Sequence, residues 1–419
     1  MSLHNLAPVT PAERIETLDV LRGFALLGIL LMNIEAFVGP MYETMDGLNP
    51  RLTGADRTAD GLIYFFVQGK FFTLFSLLFG MGFAVMSQRA AAADRPFAGI
   101  YWRRGLVLLA IGLLHALLIW SGDILVTYAL MSFLLLAFRD VSGRVLVMVA
   151  VVAFLAPLGL MMAFGALGSA MQATPELAAQ WEQMLAGQNQ MMATMIEGQR
   201  QAYGSGSFAD ATLQRARDLG VSLMNLMTLG PLVFAMFLLG AWFVKSGAIA
   251  APAGFPRLFS ALRWGALPLG MLLMLASFLL QPTLDQSDIN LTLATAFSLG
   301  MLGSALMCLG YAGWTIRGLQ SQAIAPLLGW LAPAGRMALT NYLAQSLICT
   351  LIFYGYGLGY FEQLPRVWQV PFALALFALQ VLISRWWLRH FRFGPVEWLW
   401  RTLTYLKPQS MRAAAARPA

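Results

Sequence analysis

The sequence predicts an all-α polytopic membrane protein with about ten transmembrane helices. Hydrophobic residues make up 59% of the 419 residues and charged residues only 11%, whereas an average soluble domain carries about a quarter charged residues. Because each crossing needs about 20 mostly apolar residues, the length accommodates these spans and short connections in a single membrane domain, 1–419. No soluble catalytic domain fits beside them.

Ten apolar stretches of spanning length follow one another along the chain. They cover 18 to 38, 70 to 88, 104 to 121, 123 to 138, 144 to 165, 221 to 244, 263 to 281, 291 to 315, 336 to 356 and 368 to 388. An even number of spans places both termini on one side. A tail, 389–419, follows the last span, and Trp398 and Trp400 in it predict an interfacial aromatic anchor.

The basic residues indicate which side the termini occupy. With a cytoplasmic N-terminus, most of the 27 Lys and Arg residues lie at the inner ends of the spans, as the positive-inside rule requires. Both termini are therefore expected in the cytoplasm. Because these flanking residues account for the net charge of +7, membrane lipids are the expected partners and nucleic acid is not.

An outer excursion, 166–220, is rich in Gln, Met and Ala. It contains Thr174-Pro175-Glu176, which predicts a helix start with Thr as cap and Pro at the first helical position. We expect two helices, separated at Gly204-Ser205-Gly206-Ser207. The excursion is either a lid over an outward-facing site or a solvated helical segment.

His115 is the only histidine inside a long apolar run, and the Ser121-Gly122-Asp123 turn follows it. A group that titrates near neutrality is costly in lipid, which favours a function. A neutral imidazole near the outer end of its span is a candidate general base toward an acceptor hydroxyl or amine, with Asp123 orienting it. The alternatives are that His115 packs against a neighbouring helix and that Asp123 caps the next helix.

Basic residues at the inner ends of the spans form a candidate donor site. Arg22 lies one turn into the first span, where it either pairs with Asp19 or holds a phosphate. Together with Arg103, Arg104 and Arg336 it would make a cationic inner vestibule for a phosphorylated donor such as coenzyme A.

Polar residues inside two spans are candidate substrate contacts. Asn33 lies at the outer end of the first span, where it either bridges helices or binds a substrate hydroxyl. Thr340, Asn341 and Gln345 follow Arg336 at helical spacing, so they line either a cavity or a helix interface, and we favour the cavity. Cys308 and Cys349 lie in separate apolar runs and predict neither a disulfide nor a metal site.

Five segments carry a resemblance that covers nearly the whole chain. They are Leu18 to Ile29, Gly69 to Gly82, Gly112 to Asp123, Gly335 to Ser346 and Phe393 to Arg401. Together they resemble the YeiB-like family of bacterial membrane proteins of unknown function, which is grouped with a transmembrane acyltransferase superfamily. The resemblance implies an inner-membrane protein that transfers an acyl group from cytoplasmic acyl-CoA to an extracytoplasmic small-molecule or glycan acceptor, and it suggests a homodimer.

One position departs from that superfamily. Its sugar O-acyltransferases carry a histidine eleven residues after the arginine of the first span, where this chain has Asn33 after Arg22. His115 is therefore the only internal candidate for a histidine base. Two other interpretations stay open: a transporter or lipid flippase in which the polar stripe lines a path, and a non-catalytic scaffold that docks partners on the excursion.

Overall fold

The computed structural model describes residues 15–45, 47–285 and 287–412, and in these ranges the chain is helical without β-strands. The α-helices are α1 Glu16–Val38, α2 Gly54–Phe66, α3 Lys70–Ala92, α4 Ala98–Leu118, α5 Leu125–Leu135, α6 Gly143–Met171, α7 Pro175–Gly204, α8 Phe208–Met224, α9 Leu226–Lys245, α10 Pro256–Ala261, α11 Leu267–Leu280, α12 Leu291–Gly318, α13 Ala325–Gly329, α14 Ala332–Arg336, α15 Ala338–Phe353, α16 Arg366–His390 and α17 Pro395–Tyr405.

Each of the ten predicted spans corresponds to an apolar helix. Eight helices in the described ranges are long and apolar enough to cross a membrane, and α10 and α11 form one of them, joined by the π-helical turn Leu262–Ala266. The other two predicted spans are shorter helices, Leu125–Phe138 and Ala338–Phe353. The all-α polytopic membrane fold is thereby confirmed.

Glycines let the central helices approach closely. A methyl group added at Gly80 of α3 would lie 1.9 Å from the carbonyl oxygen of Phe237 in α9, and one at Gly240 of α9 would lie 2.0 Å from that of Leu77. Gly335 of α14 lies equally close to α1, because its added methyl would meet the Asp19 carbonyl at 1.8 Å. These contacts set α1, α3, α9 and α14 side by side around the middle of the bundle.

The excursion has the two helices expected from its sequence. The Thr174 side chain accepts a hydrogen bond from the Leu177 N–H, and Pro175 is the first residue of α7. Ser207 and Asp210 form a reciprocal capping box at the start of α8, so the break falls where the Gly-Ser sequence predicts it. The helix α6 continues to Met171, so the first residues assigned to the excursion, 166–171, form the end of that helix.

The predicted tail, 389–419, is part of the folded bundle as far as α17 extends. The Trp400 ring stacks on the Arg104 guanidinium with 3.6 Å between the Arg104 Cζ and the ring centroid, and its N–H donates to the Arg104 carbonyl. Trp400 therefore packs α17 against α4, and its role as an interfacial anchor stays a prediction. Residues 413–419 lie outside the described residues.

Candidate functional site

His115 and Asp123 form a buried hydrogen-bonded pair at the junction of α4 and α5. The His115 Nδ1 lies 2.6 Å from the Asp123 Oδ2, and the two side chains are 1% and 2% exposed. The other carboxylate oxygen of Asp123 accepts the Val126 N–H at 2.7 Å. Asp123 thus contacts His115 and caps α5 at the same time, so both roles considered from the sequence are structurally compatible.

The junction is tight because small residues permit it. A methyl group added at Gly112 of α4 would lie 2.8 Å from the Val126 nitrogen, so the start of α5 rests directly on α4. The intervening turn accepts no added side chain either, since a methyl group at Gly122 would meet the Trp120 ring at 2.3 Å. The local sequence therefore places the Asp123 carboxylate within hydrogen-bond distance of the His115 ring.

The pairing determines which imidazole nitrogen is available for chemistry. An ionised carboxylate only accepts hydrogen bonds, so Nδ1 carries the proton and Nε2 presents its lone pair. The buried Nε2 has no hydrogen-bond partner among the described residues. The Tyr342 ring packs against the imidazole, with 5.2 Å between the two ring centroids. This arrangement suits a general base whose proton acceptor is Nε2.

A cavity of about 210 Å³ lies within the bundle next to Tyr342. Its walls come from α1, α3, α4, α5, α14, α15 and α17. Four guanidinium groups line it, those of Arg22, Arg104, Arg336 and Arg401. Most of the remaining wall is apolar or aromatic, and it includes Ile29, Phe75, Leu78, Phe79, Phe83, Met86, Tyr101, Leu108, Ile124, Leu125, Tyr128 and Tyr342.

The cationic and apolar parts of the wall lie at different depths of the bundle. Arg22 and Arg104 belong to the second turns of α1 and α4, and a methyl group added at Gly82 would lie 3.7 Å from the Arg22 Nη2. At a rise of about 1.5 Å per residue, His115 lies roughly 16 Å further along α4 than Arg104. The cavity therefore runs from a basic end toward Tyr342 and the end of α4 that carries His115.

His115 does not itself line this cavity, because Tyr342 stands between them. The tyrosine contributes to the cavity wall and its ring contacts His115. Its hydroxyl lies 3.4 Å from the Gly122 carbonyl oxygen, which is a long hydrogen bond. Sequence reasoning missed Tyr342, although its position one residue after Asn341 in the polar stripe was a usable signal.

The structure brings together most, but not all, of the predicted donor-site arginines. Arg22, Arg104 and Arg336 line the cavity, and Arg22 also pairs with Asp19 at 3.0 Å. Arg103 does not line it, since its Nε–H donates to the Thr404 carbonyl and fastens α17 to α4. Arg401, which the sequence interpretation did not single out, occupies the wall instead.

A buried carboxylate accompanies these arginines at the basic end. Glu397 lines the cavity and accepts hydrogen bonds from the Leu339 and Thr340 N–H groups at 2.7 and 3.0 Å, so it caps α15. Burial raises the pKa of Glu397, and the hydrogen bonds from Thr340 oppose that effect. The basic end is thus a mixed site with an excess of positive charge.

The polar stripe that we assigned to a cavity lies in helix interfaces. Thr340 donates to Glu397 at 2.5 Å. Asn341 donates to the Ala334 carbonyl and to the Ser384 hydroxyl, and Gln345 donates to Gln380 at 2.8 Å. Asn33 is partly buried near the end of α1 and does not line the cavity either. These amides reach protein partners because burial leaves no water to satisfy them.

The fold and this basic internal cavity define an all-α polytopic membrane protein. Residues 243–407 match a family model described as a protein of unknown function, DUF418. The chain is 35% identical to "Uncharacterized protein YxaH" of Bacillus subtilis (strain 168), over 97% of this chain and 98% of that one. It is 33% identical to "Uncharacterized protein YeiB" of Escherichia coli (strain K12), over 94% and 96% of the two chains.

A further relative, from Bacillus acidopullulyticus, is described as an uncharacterized 39.9 kDa protein in the amylase 3' region and is 27% identical over 95% of this chain and 96% of its own. No solved structure matches the chain. The full-length similarity shows that the chain belongs to the YeiB-like family.

Proposed function

We propose that the protein is an acyltransferase of the bacterial inner membrane, which moves an acyl group from cytoplasmic acyl-CoA to an extracytoplasmic acceptor hydroxyl or amine. The observation that carries the proposal is the single cavity that joins four guanidinium groups to the tyrosine packed on His115. The positive-inside rule supports a cytoplasmic location for the basic end and for both termini. The resemblance to the acyltransferase superfamily points the same way.

The cavity suits an amphiphilic donor. Guanidinium groups bind phosphates through paired N–H donors, so Arg22, Arg104, Arg336 and Arg401 would hold the phosphates of coenzyme A at the basic end. The apolar wall, from Met86 to Phe75 on α3, would accept the pantetheine arm that joins the phosphates to the thioester. The thioester then points toward Tyr342, which must turn aside for the donor carbonyl to reach His115.

His115 and Asp123 would carry out the proton transfer. The His115 Nε2 takes the proton from the acceptor hydroxyl or amine as the acceptor attacks the thioester carbon. The new acyl bond forms, the C–S bond breaks, and the imidazolium returns the proton to the coenzyme A thiolate as it leaves. Asp123 keeps Nδ1 protonated and stabilises the imidazolium that forms during transfer.

Turnover by the purified protein in lipid nanodiscs tests the assigned base. We expect hydrolysis of acyl-CoA, or transfer to hydroxylamine as a model acceptor, to fall by roughly 10²-fold to 10⁴-fold in His115→Gln. The matched control is His390→Gln, because His390 is exposed and bonds only the Trp386 carbonyl. Unchanged turnover in His115→Gln would remove the base from the proposal.

Donor binding is tested separately from turnover. We expect Arg336→Gln to weaken acyl-CoA binding about 10-fold to 100-fold, since a hydrogen bond to a charged group contributes about 1.5–3 kcal/mol, while Arg103→Gln serves as the control outside the cavity. If both variants bind acyl-CoA as the unmodified protein does, the basic end is not the donor site. Substrate counterflow in liposomes that needs no acyl-CoA would favour a transporter or flippase instead.

A further inference from the structure

Arg215 of α8 is a fully buried cation in the layer between the excursion and the rest of the bundle. Its hydrogen bonds within the described part of the chain reach two uncharged oxygens, the Leu118 carbonyl at 3.2 Å and the Tyr356 hydroxyl at 2.7 Å. The Nε atom is buried and has no hydrogen-bond partner among the described residues. One donor of the guanidinium fork is therefore unused.

No carboxylate in the described part of the chain forms an ion pair with this guanidinium. Asp218 lies one turn further along α8, but it accepts its hydrogen bonds from Tyr203, Gln199 and Gln214. Burial raises the pKa of Asp218, which favours its neutral form. A buried charge is costly unless it is paired and fully hydrogen-bonded, so the charge of Arg215 is poorly compensated by the protein.

Aromatic rings surround Arg215 and supply part of the compensation. Tyr203, Phe208, Tyr354 and Tyr356 have ring centroids 5.4 to 5.9 Å from its Cζ. Such cation–π contacts offset desolvation without satisfying the remaining N–H donor. They leave the guanidinium able to accept an anionic partner.

Only one layer of side chains separates Arg215 from the surface. The Phe208 side chain is 48% exposed, and its ring packs against Tyr356 with 5.3 Å between centroids. Phe208 is the first residue of α8 and follows the Gly204-Ser205-Gly206-Ser207 break. The Phe208 ring, 5.4 Å from the Arg215 Cζ, therefore covers the guanidinium on an exposed side of the protein.

The same layer adjoins the chain segment that carries His115 and Asp123. Leu118, whose carbonyl binds Arg215, is one helical turn after His115. Ser121, in the turn that leads to Asp123, lies 3.3 Å from the Tyr203 hydroxyl. A ligand held by Arg215 would therefore lie beside the end of α4 that carries the proposed base.

We propose that Arg215 and the Tyr356 hydroxyl bind the carboxylate or phosphate group of a molecule that arrives from the excursion side, with Phe208 as the movable cover. A guanidinium with a free N–H and a neighbouring hydroxyl matches the oxygens of either anion. That the anionic molecule is the acyl acceptor rests on the function proposed above. The binding of the anionic group does not depend on it.

The test measures binding of defined anions to the purified protein in phosphatidylcholine nanodiscs. The probes are inorganic phosphate and acetate, with glycerol as the uncharged control, and a parallel set of nanodiscs contains phosphatidylglycerol to distinguish a lipid phosphate from a free one. We expect phosphate or acetate, but not glycerol, to raise the Tm in a saturable manner. If added phosphate raises the Tm less in phosphatidylglycerol nanodiscs than in phosphatidylcholine nanodiscs, the lipid headgroup competes for the same site.

Two variants decide whether Arg215 is responsible. Arg215→Gln should weaken anion binding at least tenfold, whereas Arg217→Gln, which removes an exposed charge from the same helix, should leave it unchanged. Phe208→Ala, at a half-exposed position, should speed association at least threefold. Equal anion binding in Arg215→Gln and Arg217→Gln would overturn the site; if Arg215→Gln does not fold, unchanged association in Phe208→Ala overturns it.

These outcomes separate the anion site from the proposed acyl transfer. Anion binding that depends on Arg215, in a protein that shows no acyl-CoA turnover, would keep the site and reject the acyltransferase. Acyl-CoA turnover in a protein whose anion binding does not depend on Arg215 would keep the acyltransferase and reject the anion site. No acyl donor is present in the binding experiment, so each result bears on one proposal.

Discussion

The Asp123 carboxylate is shared between His115 and the first turn of α5. One oxygen lies 2.6 Å from the His115 Nδ1, and the other accepts the Val126 N–H at 2.7 Å. The bond to Val126 fixes the carboxylate on the backbone, and the fixed carboxylate in turn orients the imidazole. The position of a candidate base is therefore controlled by a helix cap, which couples the local fold of α5 to the chemistry proposed for α4.

Asp123→Asn should separate the orienting role of this residue from its capping role. The amide oxygen still accepts the Val126 N–H, so we expect the Tm to stay within a few degrees of the unmodified protein. The amide N–H₂ donates to Nδ1 and forces the proton onto Nε2, which removes the lone pair that the base needs. Turnover should fall on the order of 10⁴-fold, the size of effect found where a triad aspartate becomes an amide.

Asp123→Ala provides the comparison. It removes both hydrogen bonds, so it should lower the Tm as well as turnover, whereas the amide should lower turnover alone. A loss of stability in Asp123→Asn as large as that in Asp123→Ala would contradict the division of roles.

Tyr342 should control access between the cavity and His115. Replacing Tyr342 with Leu removes the ring that separates the cavity from His115. Diethyl pyrocarbonate, a small reagent that modifies imidazole groups, should then modify His115 at least several-fold faster. Peptide mass spectrometry measures the rate of modification. The matched control is Tyr128→Leu, because Tyr128 lines the same cavity but its hydroxyl is bonded to the Phe72 carbonyl at 2.9 Å. Equal modification of His115 in the two variants would show that Tyr342 is not the barrier.

Gly335→Ala should destabilise the basic end of the cavity. The added methyl would lie 1.8 Å from the Asp19 carbonyl oxygen and 2.7 Å from the Gly23 nitrogen, so α14 must move away from α1. We expect a loss of about 1–3 kcal/mol of stability, typical of overpacking, measured as a lower Tm in detergent. Gly329→Ala is the control, since nothing lies within 4 Å of its added methyl; an equal loss there would contradict the explanation.

The stability contributed by Asp218 should fall as pH rises. Burial raises its pKa above the ordinary value of 3.8 in the folded protein, so the folded state binds more protons than the unfolded state above that pH. Asp218→Asn removes this dependence, so the Tm of Asp218→Asn relative to the unmodified protein should increase between about pH 4 and about pH 7.

Asp210 on the same helix gives a control of opposite sign. Hydrogen bonds from Ser207 lower the pKa of this exposed carboxyl, so its contribution is present above 3.8 and is lost as pH falls through the lowered pKa. The relative Tm of Asp210→Asn should therefore decrease as the pH rises toward 3.8 and stay level between about pH 4 and about pH 7. If the relative Tm of both variants changes with pH in the same direction and by the same amount, a general charge effect sets the pH dependence and these individual pKa shifts do not.

Local patterns in the sequence were sufficient to predict the helical elements and one half of the candidate site. The break at Gly204-Ser205-Gly206-Ser207 follows from residues that cap and end helices, and the contact between His115 and Asp123 spans only eight residues. Helix ends and short turns are fixed by neighbours in sequence, which is why such patterns predict them.

The other half of the candidate site, the lining of the cavity, depends on contacts between residues distant in sequence. Arg103 and Arg104 are adjacent and look equivalent, but α17 directs Arg103 to the Thr404 carbonyl while Arg104 faces the cavity. Asn341 and Gln345 turn toward α14 and α16, and Tyr342 between them faces the cavity and His115. Neighbouring residues on a helix point about 100° apart. The rotation of each helix about its own axis therefore decides which of them faces the cavity and which faces another helix.

The sequence by itself determined the membrane class, the order of the apolar helices and the candidate base with its carboxylate, because composition and short-range spacing suffice for each. Only the tertiary structure decided which arginines share a cavity and that Tyr342 stands between this cavity and His115. It also decided that Arg215 is buried between the excursion and the rest of the bundle. Those facts arise from the packing of whole helices against one another, where burial and close approach select one rotation of each helix among several that its apolar surface would allow.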